Sequence, residues 1–439
     1  MELSAHVLAG LAGRYQLIKT PFAAAGVSAR DGAVVQRVSE ILSTIEAGGM
    51  DAVIGYAREL DGYDGDTVEL DAATIAASGD ILTPELRAAL ELGSARTQAF
   101  AKGQRAHLAD FEVELVPGVV TGARYIPVNR VGAYLPAGRF PLLSSAFMTV
   151  GVAKAAGVPT VLACTPPRRD GTPDPAVLYG AYLSGVDRAY ALGGVQALAA
   201  MAFGLLGERP VDMLVGAGNA YVAEAKRQLF GRVAIDLLAG PSEVAVIADE
   251  TVDAELVAAD LLGQAEHGPE SPAALVTTSE ILAHQVIAEV ERQLLTLKTR
   301  DIAGPAWRDY GSVTLAADRD VAIELMDDLA PEHLEIITAD DEYYYARLKN
   351  YGSVFIGEWS TVAYSDKGMG GSNHVLPTRG GARHSAGLSV SRFLKPLTFQ
   401  RATRSSTPAL AEAVSVISEY EGLAAHRATA TLRLDRFDS

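Results

Sequence analysis

Between residues 141 and 235 the sequence repeats one unit, in which a short apolar strand is followed by a helix. The predicted helices cover 144–156, 174–183, 195–205 and 219–229, and the predicted strands cover 159–164, 187–191 and 211–215. Parallel strands need a long crossover connection, so strands separated by helices in this way predict a parallel α/β sheet. Right-handed crossovers then give a doubly wound, Rossmann-like layer.

Two strand-to-helix junctions in this region are rich in glycine, at Leu192–Gln196 and Val215–Asn219. Glycine lets a phosphate approach the backbone at a helix N-terminus, where free N–H groups and the helix dipole favour an anion. Neither junction has the full G-x-G-x-x-G pattern or a clear ribose-binding acid after it. On local sequence alone, a dinucleotide site and a pair of tight turns fit equally well.

Composition excludes several classes of protein. The chain has 439 residues and a net charge of -17, which argues against a nucleic-acid binder or a protein that binds an anionic membrane surface. The N-terminus lacks a signal-peptide pattern, and no apolar run has the length of a membrane span, so we expect a cytoplasmic protein. The one cysteine, Cys164, lies in an apolar run that predicts a buried strand rather than a nucleophile.

Candidate chemistry concentrates at histidines. Gln264 and His267 follow a helical pattern that ends at Gly268-Pro269, so the two side chains lie three residues apart at one helix end, where His267 is either a capping residue or a ligand. Four of the eight histidines have acidic or amide neighbours: His267, His333, His374 and His426. Imidazole, carboxylate and amide oxygen together suit zinc or a similar divalent ion. The other four, His6, His107, His284 and His384, are expected on the surface.

The chain resembles the histidinol dehydrogenases from about residue 28 to residue 436. The matching motifs, in chain order, are Val131 to Gly138, Gly193 to Ala197, Gly218 to Val222, Ala239 to Glu243, Gln264 to His267, Ala330 to Glu335, Asn373 to Thr378 and Glu421 to His426. The resemblance implies oxidation of a primary alcohol to a carboxylate in two NAD-dependent steps, through an aldehyde held on the enzyme. It implies one zinc ion per subunit and a homodimer with shared active sites.

The resemblance also assigns roles to residues. The implied zinc ligands are Gln264, His267, Asp366 and His426, with His426 reaching in from a partner subunit. Glu332 and His333 are the implied acid–base pair, in which His333 takes the alcohol proton and Glu332 activates water. The implied substrate contacts are Ser242, His374 and Glu421, together with His333 and the four zinc ligands. Tyr134, Gln196 and Asn219 fall at the positions for the nicotinamide cofactor.

From the patterns and the resemblance together we expect an α/β fold with two Rossmann-like parallel-sheet domains. The expected division has an N-terminal arm (1–25), a discontinuous α/β domain with most of the zinc site (26–130 and 243–388), an NAD-binding domain (131–242) and a helical C-terminal tail (389–439). The tail is expected to be exchanged with the partner subunit.

Departures from the family pattern leave the alcohol open. Arg139 lies near the expected cofactor loop, Ala217 replaces the usual proline, and Lys367 follows the expected ligand Asp366. The chain resembles a sister group of catabolic enzymes at Gly138-Arg139, Leu262-Gly263-Gln264 and Asp366-Lys367. That group includes the sulfopropanediol dehydrogenases, whose substrate is an anion. Glu421 favours L-histidinol or a similar amino alcohol, because a carboxylate pairs with an ammonium group and repels a sulfonate. A catalytically silent binding or scaffold homologue is the alternative from another class.

Overall fold

The computed structural model describes residues 1, 3–22, 32–65, 67–137, 141–207 and 209–438. Its strands, within those ranges, form two six-stranded sheets and a third sheet of three strands. Both large sheets are parallel except for one antiparallel edge strand each. The predicted α/β class with two parallel sheets is therefore confirmed.

The first sheet contains the predicted alternation. Its strands, in spatial order, are β2 (Glu69–Leu70), β7 (Arg188–Ala191), β6 (Thr160–Thr165), β5 (Arg130–Tyr134), β8 (Met213–Val215) and β9 (Ala234–Ile235). Its helices include α5 (Val152–Ala155), α6 (Pro175–Leu183), α7 (Gly194–Phe203) and α8 (Ala220–Leu229), with a π turn at Phe147–Gly151 before α5. Every residue of β5 is buried, as a central parallel strand covered on both faces requires. Cys164 is fully buried in β6, as predicted.

The second sheet is built mainly from residues after 243. Its strands, in spatial order, are β1 (Tyr15–Lys19), β12 (Gly311–Ala316), β11 (Ala273–Thr277), β10 (Val244–Ala248), β13 (His333–Ile337) and β14 (Ser353–Ile356). Its helices are α1 (Ala5–Gly10), α9 (Ala254–Ala265), α10 (Glu280–Leu294), α11 (Arg300–Tyr310), α12 (Arg319–Leu329), α13 (Asp341–Tyr345) and α14 (Val362–Asp366). The N-terminal arm thus adds a helix and the antiparallel edge strand to this sheet.

The long helix α2 (Gly32–Asp61) packs on the first sheet. Its buried side chains Val38, Ile41 and Ile45 belong to the same core cluster as Leu198 of α7. The expected division placed this segment with residues 243–388, but its apolar face is covered by α7 and α8 instead. An amphipathic face tells which side is buried and not which layer covers it. The domain boundaries themselves remain a prediction.

After a 3₁₀ turn at Val390–Phe393, the C-terminal tail continues as a strand, which corrects the helical expectation for this part. β15 (Leu394–Ala402) pairs antiparallel with β4 (Val119–Pro127), which also pairs with β3 (Phe111–Val116). Pro396 is tolerated because β15 lies at the edge of this sheet. The helices α15 (Thr407–Tyr420) and α16 (Ala424–Asp438) then form a hairpin. The remaining helices are α3 (Ala72–Ala77) and α4 (Pro84–Ala106).

A short connector carries the chain from the first sheet to the second between Asp236 and Glu243. Asp236 is anchored in the first sheet, where its Oδ2 accepts a hydrogen bond of 2.7 Å from the Gly216 N–H. Gly240 N–H donates to Thr378 Oγ1 at 2.6 Å in the middle of the connector. Ser242 and Glu243 then lead directly into β10. None of the described helices is long and apolar enough to cross a membrane.

Candidate functional site

The candidate acid–base pair lies where two neighbouring strands of the second sheet begin. Val244 of β10 and His333 of β13 are register partners, so the preceding residues Glu243 and Glu332 are neighbours as well. Glu332 is buried, and one of its carboxylate oxygens accepts hydrogen bonds from Ser242 Oγ at 2.7 Å and from the Glu243 N–H at 2.9 Å. Burial raises the pKa of Glu332 well above its usual value, while the two hydrogen bonds oppose that rise.

His333 is held as a neutral proton acceptor. Its Nδ1 lies 3.0 Å from the Glu243 carbonyl oxygen, an acceptor, so this bond requires the proton on Nδ1. Nε2 then carries the free lone pair, and this buried atom has no hydrogen-bond partner among the described residues. Burial lowers the pKa of His333, mainly through loss of water around the charged form. Asp366 Oδ1 lies 3.9 Å from Nε2, and Glu332 Oε2 lies 3.5 Å from Nδ1.

Three of the four expected zinc ligands belong to this network. Gln264 is buried near the end of α9 and donates from Nε2 to Ser242 Oγ. His267 follows the end of that helix, with its Nε2 3.7 Å from Asp366 Oδ2. Asp366 is the last residue of α14, and its buried Oδ1 has no hydrogen-bond partner in the part of the chain that the structure describes. This unpaired acid oxygen, with an imidazole and an amide nearby, is the kind of donor set that suits zinc.

The fourth expected ligand is not brought to the network within one chain. His426 is exposed on α16, and Glu421, an expected substrate contact, is exposed at the end of α15. Neither side chain has a hydrogen bond or ion pair to Gln264, His267 or Asp366 in the described ranges. In that same part of the chain, no three His, Cys, Asp or Glu side chains form a metal-binding cluster. The donors present fit zinc only if a further ligand joins them.

His374 is the expected substrate contact that lies nearest the boundary between the two sheets. Its two ring nitrogens lie 3.4 Å from Ser144 Oγ and 3.2 Å from Ser145 Oγ. Burial lowers the pKa of His374 to about 4, with Asp366 opposing and Lys367 adding to the decrease. Ser144 Oγ also donates to the Asp366 carbonyl oxygen at 2.5 Å. These serines therefore connect the first sheet to the candidate ligand Asp366.

The expected cofactor residues lie together with an acid that sequence reasoning missed. Asp61, the last residue of α2, accepts hydrogen bonds from the Gly193 N–H at 3.0 Å and from Gln196 Nε2 at 2.9 Å. Gly194 N–H donates to the Tyr134 hydroxyl at 3.2 Å. Gln196 Oε1 is buried, and none of the described residues donates a hydrogen bond to it. The N–H groups of the first glycine-rich junction are thus occupied by side chains rather than free for a phosphate.

The second glycine-rich junction is occupied in the same manner. Gly216 has a φ of +117°, its N–H donates to Asp236, and its carbonyl accepts a 2.9 Å bond from Lys226 Nζ. Lys226 and Asp236 form an ion pair whose side chains are 3% and 0% exposed. Asn219 is exposed and caps α8. Its side-chain oxygen accepts hydrogen bonds from the Tyr221 N–H at 3.0 Å and from the Val222 N–H at 3.1 Å. The loop with Gly138 and Arg139 lies outside the described residues.

The cofactor half of the candidate site lies at the carboxyl ends of its strands, whereas the acid–base half lies at the amino ends of its strands. Tyr134 and the two glycine-rich junctions follow the carboxyl ends of β5, β7 and β8, where doubly wound sheets bind their ligands. Glu332 and Ser242 instead precede β13 and β10, at the amino ends of their strands. Ser144, which follows β5 in the chain, contacts Asp366 and His374 of the acid–base half.

Several residues of this network lie in no sequence pattern that predicts a functional role. Asp61 and Ser144 bond to groups 132 and 222 residues away, and each occurs in an ordinary local pattern. In the sequence, Lys226 resembles an exposed residue of a helix, and Asp236 resembles the end of a strand. Glu243, whose backbone carbonyl fixes the tautomer of His333, was part of a recognised motif but was given no role. The four histidines expected on the surface are all exposed.

Comparison with known proteins gives one consistent family. A family model described as histidinol dehydrogenase matches residues 27–434. A histidinol dehydrogenase homolog of Shouchella clausii is 45% identical over 406 residues, which cover 92% of this chain and 95% of that protein. The sulfopropanediol 3-dehydrogenase of Ruegeria pomeroyi is 44% identical over 92% of this chain and 93% of its own. The crystal structure of histidinol dehydrogenase from Elizabethkingia anophelis matches with a TM-score of 0.88 and 34% identity, covering 92% of this chain and 93% of that one.

Proposed function

Since this chain belongs to the histidinol dehydrogenase family, a family of oxidoreductases, we propose that it is a zinc-dependent, NAD-linked dehydrogenase. It oxidises a small polar primary alcohol to the carboxylate through an aldehyde, with L-histidinol as the substrate and L-histidine as the product. The observation that carries the proposal is the buried, unpaired Nε2 of a neutral His333 beside a buried Glu332.

His333 and Glu332 have different tasks in this reaction. His333 Nε2 accepts the hydroxyl proton of the alcohol, and Nδ1, already bonded to the Glu243 carbonyl, stabilises the imidazolium that forms. Glu332 in its ionised form takes a proton from the water that adds to the aldehyde. Its bonds to Ser242 Oγ and the Glu243 N–H keep one carboxylate oxygen fixed and leave the other for the water. Both groups are shielded from bulk solvent, which strengthens their interactions with the substrate.

Zinc and NAD would supply a Lewis acid and a hydride acceptor, which the side chains of this protein lack. Gln264, His267, Asp366 and His426 would hold zinc, which polarises the substrate oxygen when bound, and NAD accepts the hydride of each step. The free Asp366 Oδ1 supports this ligand set. Tyr134, Gln196 and Asn219 would contact NAD, and the buried, unpaired Gln196 Oε1 supports a donor of the cofactor at that position.

We propose that His426 and Glu421 enter the site of a second subunit. The tail and the third sheet expose many apolar side chains, and a large exposed apolar surface is typical of an interface. The most exposed of these are Phe111, Leu115, Val416, Ile417 and Tyr420. Tyr420, beside Glu421, is 95% exposed, which is costly unless another molecule covers it.

A mixture of two inactive variants tests the shared site. The H333N homodimer and the H426A homodimer should each be inactive. In a heterodimer of shared sites, one site contains both substitutions and the other contains neither. Random reassociation makes about half of the dimers heterodimers, so about a quarter of the wild-type activity should return. If His426 served its own subunit, each site would contain one substitution and no activity would return.

A second candidate substrate is 2,3-dihydroxypropane-1-sulfonate, or a similar small anion. Lys367 is the specific observation that favours it, because its positive charge acts on both His267 and His374. The similarity to the sulfopropanediol 3-dehydrogenase also supports it. Glu421 favours L-histidinol, because its carboxylate pairs with an ammonium group and repels a sulfonate.

Reduction of NAD by the zinc-loaded protein separates these substrates. L-histidinol and racemic sulfopropanediol are compared, with E421Q and K367M as matched variants. L-histidinol turnover with two NADH per molecule, lost in E421Q and retained in K367M, supports the first proposal. Turnover of the sulfonate alone, lost in K367M, rejects L-histidinol in favour of the anion. No turnover with either compound rejects both substrates, and an absence of bound zinc as well would favour the silent homologue.

A further inference from the structure

A second pair of acids lies behind the candidate site. Glu335 is on β13, two residues beyond His333, and Asp260 is on α9, four residues before Gln264. Glu335 is fully buried, with 0% of its surface exposed, and Asp260 is partly buried. Burial raises the pKa of both carboxyl groups, and the two are hydrogen-bonded to each other. The catalytic scheme above uses neither residue.

The hydrogen bond between these acids requires a shared proton. Two ionised carboxylates carry only acceptor oxygens, so one of the pair must be protonated for the bond to form. Within the described ranges Glu335 Oε2 has no N–H donor, and a hydrogen bond from the Thr361 side chain lowers the pKa of Glu335. Glu335 is the more deeply buried, and the charge of Asp260 raises its pKa further. Glu335 therefore carries the proton and Asp260 the charge.

The other oxygens of the pair hold the start of α14. Glu335 Oε1 accepts a 3.0 Å bond from the Val362 N–H, and Asp260 Oδ1 accepts a 2.9 Å bond from Thr361 Oγ1. Thr361 in turn caps the helix by accepting from the Ala363 N–H. Because α14 has five residues and ends at Asp366, any shift of its first turn moves Asp366 as well. Ser144 holds the other end of this helix, at the Asp366 carbonyl.

We propose that Asp260 and Glu335 form a proton-sharing positioning pair that fixes Asp366 by anchoring the first turn of α14. The inference rests on the proposed function in one respect, since it takes Asp366 as a zinc ligand. Residues that orient a metal ligand from behind typically change metal affinity by about 10- to 100-fold when they are replaced.

The test compares variants that differ in the shared proton. E335Q keeps an acceptor for Val362 and a donor for Asp260, whereas E335A removes both. T361V removes the Thr361 hydroxyl, with its bonds to Asp260, to the Ala363 N–H and to Glu335, and leaves the two buried acids intact. V246A is the matched control, because Val246 is fully buried and is the register partner of Glu335 on β10. Zinc release to a chelator is measured for each, with the unfolding midpoint as the measure of general damage.

Zinc release should be at least about tenfold faster in E335A and severalfold faster in T361V. E335Q should stay within about threefold of the wild type. V246A should lower the unfolding midpoint without faster zinc release. Equal zinc release in E335Q and E335A, or unchanged release in both E335A and T361V, would overturn the proposal.

Hydrogen exchange of residues 361–367 in the metal-free protein separates this proposal from the proposed function. Exchange should be faster in E335A and unchanged in E335Q, whether or not zinc binds. A wild-type protein that holds no zinc would contradict the proposed function, while the exchange comparison would still decide the role of the pair. Unchanged exchange in E335A would overturn the positioning pair itself.

Discussion

Removing Lys226 should destabilise the first sheet by several kcal/mol, and removing Asp236 should cost more. The two side chains are 3% and 0% exposed, so each charge depends on the other for compensation. Breaking a buried ion pair by removing one partner costs about 3–5 kcal/mol. In K226M, Asp236 keeps the N–H bonds from Gly216 at 2.7 Å and Leu237 at 2.6 Å. We therefore expect about 3 kcal/mol, the lower end of that range.

D236A leaves a worse defect, because three groups lose a partner at once. Lys226 keeps only the Gly216 carbonyl at 2.9 Å, and the N–H groups of Gly216 and Leu237 lose their acceptor. An unsatisfied buried donor costs about 1–3 kcal/mol, so we expect about 5 kcal/mol or more. The double variant K226M/D236A should cost less than the sum of the two, because it removes both charges.

Urea unfolding of the metal-free protein, followed by far-ultraviolet circular dichroism, measures these free energies. R14M is the control, since Arg14 and Asp318 form an exposed ion pair at 3.0 Å and its loss should cost less than about 1 kcal/mol. The KM for NAD should also rise in K226M, because Gly216 begins the loop that carries Asn219. A K226M cost below about 1 kcal/mol, or strictly additive single variants, would refute the reasoning.

Three further predictions concern other parts of the molecule. I45A should destabilise the protein by about 2–5 kcal/mol in the same unfolding assay, because Ile45 is fully buried against the first sheet. S242A should move the acid limb of the kcat–pH profile to higher pH. The Ser242 hydrogen bond lowers the pKa of Glu332, which must be ionised to act, so its loss raises that pKa. E332Q should abolish the acid limb. D61N should raise the KM for NAD and leave the KM for the alcohol unchanged, because Asp61 holds Gln196 in place.

The parallel layers were predictable because their signal is local. The β5–β9 region has apolar strands, amphipathic helices and glycine turns in a fixed order, and each feature is visible in a short window of sequence. β15 was missed because Lys395, Pro396 and Gln400 make an exposed edge strand look like a loop. The partner of α2 was missed because an apolar helix face does not identify the surface that covers it.

The candidate site was predictable as a set of residues and not as an arrangement. The resemblance to a family supplied Glu332, His333 and the expected ligands, whereas their geometry depends on contacts between distant segments. The bond between Ser144 and Asp366 joins residues 222 positions apart, and a serine there has no pattern of its own. At the glycine-rich junctions, local sequence fits a dinucleotide site and tight turns equally well. In the structure, Asp61 accepts from the Gly193 N–H and Asp236 accepts from the Gly216 N–H.

The connector between the sheets has no spare length, which limits what insertions this fold tolerates. Residues 237–242 run between Asp236, fixed to Gly216 and Lys226, and Glu243, whose N–H donates to Glu332. Gly240 is also fixed at its midpoint by Thr378. One added residue must break an anchor or bulge beside the reacting groups, whereas ordinary surface loops accept added residues at little cost. Functional members of the family should therefore keep the residue count of this segment constant.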